Sequence, residues 1–152
     1  MKFWLLTHTE ELKKTTGTGK LIKETLGEYC EIIPWSRVTP SESILTLSPN
    51  NTVLIYPDEN DQATSFDGDT SQIENIIIID GTWQQARKIY NRSPYLHAFQ
   101  HKEIQDVKSI YTKRRNQKSI GLCTAEVAIY LLDERDHPST KTLRDRFLEF
   151  NQ

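Results

Sequence analysis

Four consecutive isoleucines, Ile76-Ile77-Ile78-Ile79, constrain this chain more than any other stretch. The run has neither the period of an amphipathic helix nor the alternation of a strand with one wet face. It fits a short strand buried on both faces, as in a parallel sheet covered by helices. The run stops at Asp80-Gly81. Thr82 then has the chemistry of a helix N-cap, and Gln85, three residues on, completes a capping box. The expected unit is strand, tight turn, helix. It puts Asp80 and Trp83 at the carboxyl end of a core strand, where open α/β sheets bind ligands. Two readings of Asp80 stand side by side: a cap for the following helix, or a group that does chemistry. Trp83 is either a core anchor or a wall on which a flat ring stacks.

A chain of 152 residues suits one domain, residues 1–152, with room for a real core. The net charge of -2 says little until it is located. Residues 84–118 hold nine Lys/Arg against two Asp/Glu, so the remainder of the chain is strongly acidic. Such asymmetry suggests a basic surface facing a polyanion; the alternative is a solvated helix face followed by a charged loop. The two cysteines, Cys30 and Cys123, form no CxxC pair, which argues against zinc and against a disulfide scaffold. The first apolar run, residues 3–6, is too short for a secretion signal, and no segment approaches the roughly 20 apolar residues of a membrane span. The expectation is a reduced, soluble, cytoplasmic protein, monomer or homodimer.

Strands are expected at residues 2–6, 29–35, 52–56 and 76–79, with a further one at 108–112. Helices are expected at 20–26, from Thr82 to the Ser93-Pro94 stop, at 124–132 and at 139–150. Residues 38–49 have no assignable pattern, and 58–72 read as an acidic, solvated loop. Strands alternate with helices, so the class is α/β with a mostly parallel sheet flanked by helices. On the helix after Thr82, Trp83, Ala86, Ile89 and Tyr90 lie toward one side. Gln84, Arg87, Lys88 and Arg92 lie toward the other.

Several motifs fail on inspection. Gly17-Thr18-Gly19-Lys20 looks like a phosphate loop, but Lys14 stands where its first glycine belongs and Leu21 where its Ser/Thr belongs. The backbone at this helix start still suits a carboxylate or phosphate. His8, His97, His101 and His137 are not spaced as metal ligands. No Gly-x-Ser-x-Gly elbow is present.

Asp80-Gly81-Thr82-Trp83 followed by Gln84-Gln85-Ala86-Arg87 resembles the signature of the DTW-domain family. Three further blocks agree in order: His8 with Glu11 and Thr18-Gly19, then Tyr56-Pro57 within residues 54–63, then Leu122-Cys123-Thr124-Ala125-Glu126. The resemblance covers nearly the whole chain. It implies a SPOUT-like fold with a C-terminal trefoil knot, S-adenosylmethionine bound at loops near the knot, and 3-amino-3-carboxypropyl transfer to N3 of a uridine in tRNA. Related proteins modify ribosomal RNA instead. The chain departs from the family pattern twice. A cysteine cluster that often precedes the first strand is absent, which predicts no metal, and Thr16-Gly17 stands where asparagine is usual before Thr18.

On this resemblance Asp80 is the catalytic candidate. Thr18, Gly19, Tyr56, Pro57, Asp58, Trp83, Leu122, Cys123, Thr124 and Glu126 are the cofactor-binding candidates. Arg87, Lys88, Arg92, Lys113, Arg114, Arg115 and Lys118 are the RNA-backbone candidates, since phosphate neutralisation supplies affinity without sequence information. Uridine N3 must lose a proton to attack. A free Asp, at about 3.9, is a feeble base; next to four isoleucines its pKa should rise. Holding the ammonium or balancing the sulfonium is the competing role, and that would lower it.

Overall fold

The computed structural model describes residues 1–57, 70–104, 107–113 and 122–152. Five parallel strands form one sheet: β1 (Lys2–Thr7), β2 (Cys30–Pro34), β3 (Thr52–Ile55), β4 (Asn75–Asp80) and β5 (Gln100–Lys102). Their order is β2-β1-β4-β3-β5. The isoleucine strand is paired on both sides, with Phe3–Leu6 of β1 and with Val53–Ile55 of β3. Its side chains alternate between two cores. Ile76 and Ile78 pack with Phe3, Leu5, Ile22, Leu132 and Phe147. Ile77 and Ile79 pack with Leu6, Ile44, Leu54, Ile89 and Leu96. A strand buried on both faces has no place for alternation, which is why its sequence shows none.

Helices cover each face. α2 (Gly19–Leu26), α5 (Thr124–Glu134) and α6 (Thr140–Phe150) lie on the Ile76/Ile78 face. α3 (Glu42–Leu45) and α4 (Trp83–Asn91) lie on the other. The short α1 (Thr9–Leu12) follows β1 directly, with His8 as its cap. Among the described residues, no helix is long and apolar enough to cross a membrane.

Three sequence expectations change. Residues 108–112 do not form a strand. Their backbone is bound by side chains instead: Ile110 N–H donates to Glu126, Thr112 N–H donates to Asn151 Oδ1, and Ile110 C=O accepts from Asn151 Nδ2. The outer strand is β5, three polar residues whose buried His101 bonds Tyr90 and the Phe99 carbonyl. Residues 38–49, without a legible pattern, contain α3, capped by Ser41. The strand expected at 29–35 is shortened to β2, because residues 27–29 form a 3-10 turn.

The connections define a crevice. From β1 the chain moves outward to β2, returns past β1 to β3, inserts β4 between them, and leaves β5 outside β3. The direction of winding therefore reverses between β1 and β4. Ligands bind at the carboxyl end of such a reversal, and there Thr7 is paired with Asp80.

Candidate active site

Asp80 does not cap the helix that follows it. Thr82 does: its hydroxyl accepts from Gln85 N–H at 3.2 Å, and its N–H donates to Gln85 Oε1 at 2.9 Å, the expected capping box. The Asp80 carboxylate turns to the other face and is 6 % exposed. Oδ1 accepts from the hydroxyl of Thr124, the first residue of α5, at 2.6 Å. Oδ2 lies against Gly19, the first residue of α2, where an added Cβ would stand 2.7 Å away. One carboxylate thus sits between two helix N-termini. Their dipoles favour its charge, and burial opposes it. Burial is the larger effect and raises the pKa from 3.8 to about 6; the Thr124 hydrogen bond pulls it down, nearby Glu11 pushes it up, and Lys14 pulls it down.

The two helix starts are braced against each other. Thr18 caps nothing in its own helix; its hydroxyl accepts from Ala125 N–H at 3.0 Å. Glu11 and Lys14 approach from the other side as an ion pair at 3.2 Å. Glu11 Oε1 fills the space beside Gly17, 3.2 Å from where a Cβ would be. Lys14 was not singled out from the sequence, and Glu11 only through the family block. Their signal was an acid and a base one helical turn apart, directly after the first strand. Gln85 adds a clamp: its Nε2 donates to Glu10 Oε2 at 2.8 Å, fixing the 80–82 turn against α1.

Of the two readings of Trp83, a core anchor and a stacking wall, its exposure rules out the first. The residue is 44 % exposed. It stacks on Tyr56 at 5.7 Å, and Tyr56 stacks on Tyr90 at 4.0 Å. Tyr56 belongs to the Ile77/Ile79 core, so this column of rings lies on the sheet face opposite the Asp80 carboxylate. Pro57 follows Tyr56 at the end of a described segment; Asp58 lies outside the described residues.

In the block before α5, Leu122 packs at the edge of the core and Cys123 is buried. Burial pushes the Cys123 thiol up to about 12, so it is no nucleophile near neutral pH. Glu126 binds the protein itself: it accepts from Cys123 N–H at 3.0 Å, Ser109 Oγ at 2.5 Å and Ile110 N–H at 2.9 Å. An open groove of about 280 Å³ between residues 107–110 and helices α5 and α6 has Leu122 and Glu126 in its walls, but not Asp80.

Among the described residues, the cations of the basic stretch do not share one surface. Arg87, Lys88 and Arg92 are exposed along α4. Lys113 is half-buried over the Phe150 ring at 4.9 Å, on the opposite face of the sheet. Arg114, Arg115 and Lys118 lie outside the described residues. Among the described residues, no three His, Cys, Asp or Glu side chains gather as a metal site.

No solved structure matches the chain. The DTW domain, the family whose signature Asp80 and Trp83 carry, matches residues 1–152, so the chain belongs to the DTW-domain family.

Proposed function

We propose that this protein transfers the 3-amino-3-carboxypropyl group of S-adenosylmethionine to N3 of a uridine in tRNA, with 5′-methylthioadenosine as by-product. Membership of a family with tRNA-related function supports the substrate class. The observation that carries the reading is the Asp80 carboxylate, buried at the winding reversal with its pKa raised. A SPOUT-like fold with a C-terminal knot belongs to the same proposal; the all-parallel sheet is the part of it already in hand.

The donor set fits a zwitterionic sulfonium. The Glu11 carboxylate suits its positive groups, and the first turn of α2, from Gly19, suits its carboxylate. Leu122 and Cys123, in the segment that leads into α5 on the same sheet face as Asp80, would receive the adenosine. When bound, the cofactor supplies an electrophilic carbon in the transferred chain. Asp80 takes the N3 proton. At about 6 it is a stronger base than a free carboxylate and still largely ionised at neutral pH. Thr124 fixes one carboxylate oxygen, and Thr18 keeps the two helix starts in register. Orientation then decides which carbon on sulfur is attacked.

The test is incubation of the protein with S-adenosylmethionine and tRNA, followed by mass spectrometry of nucleosides and by-product. Aminocarboxypropyl-uridine with methylthioadenosine is expected. S-adenosylhomocysteine instead would make the protein a methyltransferase. Modification of ribosomal RNA alone would move the substrate. RNA binding without turnover would leave a binding module.

A further inference from the structure

We propose that the outer side of α4 is the RNA-docking surface, with the open face of Trp83 as a platform on which a nucleobase of the tRNA stacks. The inference rests on the RNA-modifying reading above and deepens it by naming the contact.

An indole is costly to leave in water, yet Trp83 is 44 % exposed at the first position of α4. It is not a loose side chain. Tyr56 covers one face, Tyr90 backs Tyr56, and His97 lies against Tyr90 with ring centroids 4.3 Å apart. The capping box fixes the backbone beneath it. A rigid ring with one covered and one open face is what base stacking requires.

Charge identifies the ligand. Arg87 is one helical turn from Trp83, and Lys88 and Arg92 continue along the exposed side. α4 contains no acidic residue. Among the described residues, none of these three cations forms an ion pair. A positively charged sulfonium gains nothing from such neighbours, whereas a phosphate backbone does. The Asp80 and Glu11 carboxylates are on the opposite face. Lys113, by contrast, is set over the Phe150 ring.

The experiment measures tRNA affinity and S-adenosylmethionine affinity separately, at several salt concentrations, for the wild type, Trp83→Ala, Trp83→Phe and the double variant Arg87→Glu/Lys88→Glu. Circular dichroism verifies folding. Trp83→Ala should weaken tRNA binding by about 5- to 100-fold and leave cofactor affinity unchanged. Trp83→Phe, which keeps a ring, should retain most of the affinity. The charge reversal should flatten the salt dependence. Unchanged tRNA affinity in Trp83→Ala, with wild-type turnover on tRNA intact, overturns this proposal and leaves the enzymatic reading standing. Loss of cofactor affinity alone overturns it as well and assigns the indole to the cofactor. A wild-type protein that binds no RNA defeats both.

Discussion

Asp80 stands under opposing influences, and their balance has a sign that can be checked. Its native pKa, about 6, lies above its ordinary 3.8, so the folded protein holds this proton more tightly than the unfolded chain. The stabilising share of the group is complete below about pH 4. It is lost as pH rises through 6, where the buried charge costs on the order of 3 kcal/mol. Asp80→Asn, nearly isosteric, should therefore melt higher than wild type at pH 7.5, with the difference closing near pH 4. Turnover should fall by about 10²- to 10⁴-fold, the usual contribution of a general base. A variant with wild-type turnover removes Asp80 from the mechanism; one that melts lower at pH 7.5 refutes the buried charge. Gly19→Ala probes the same carboxylate from α2. In an open helix, alanine gains up to about 1 kcal/mol over glycine. Here its Cβ would stand 2.7 Å from Asp80 Oδ2 and 3.2 Å from Leu5 Cδ1. Denaturant titration should show a net loss of about 1–3 kcal/mol, together with lower kcat; a more stable, fully active variant would mean that the carboxylate moves freely. That Asp80 ends a doubly buried strand was legible in the sequence from the four isoleucines before it, although a helix cap stood as an equal reading of it, a role that Thr82 takes. The partners of Asp80 were not. Thr124 is 44 residues away, and only the fold brings its hydroxyl to the carboxylate.

At the scale of elements, legibility followed local chemistry. α4 could be read to its caps because Thr82 and Gln85 carry their own signal within four residues. β5 could not, because Gln100, His101 and Lys102 have no apolar pattern, and His101 is buried only through its bonds to Tyr90 and Phe99. The segment at 108–112 misled for the opposite reason. Ile110 and Tyr111 have strand-like composition, yet their backbone is claimed by Glu126 and by Ser109. Tyr111 extends the attachment through a hydrogen bond from its hydroxyl to the Thr16 carbonyl, in the loop before α2. Glu126 thus ties a crossing segment to the helix start that holds Asp80. Glu126→Ala leaves Ile110 N–H, Cys123 N–H and the Ser109 hydroxyl without that acceptor, a loss of about 2–3 kcal/mol. Faster amide exchange at Ile110 and Cys123 should accompany it, while Glu126→Gln, which keeps an acceptor oxygen, should lose less. Unaltered exchange in the alanine variant would show that other contacts hold the segment.

Over the whole molecule, the two ends of the sheet are built for different purposes. The amino end is closed by neutral and surface bonds: Trp4 Nε1–H donates to Asn75 Oδ1, Asn51 Nδ2–H donates to Glu74, and Lys2 pairs with Glu31. The carboxyl end holds a buried charge, two helix starts and the winding reversal. The α/β class was legible from strands alternating with helices around one doubly buried strand. The distribution of positive charge was not. Residues 84–118 are continuous in sequence, but α4 and Lys113 end on opposite faces of the sheet. The difference between the ends gives a prediction for the intact protein. S-adenosylmethionine, added at saturation, should slow amide hydrogen exchange at Gly19, Gly81 and Thr124, around the reversal between β1 and β4. Exchange at Asn51 and Asn75, at the far end of the same strands, should stay as it was, because a ligand protects the local openings it blocks. Protection at the amino end, or at the groove between α5 and α6 with none near Asp80, would place the cofactor elsewhere and separate it from the carboxylate on which the proposed chemistry depends.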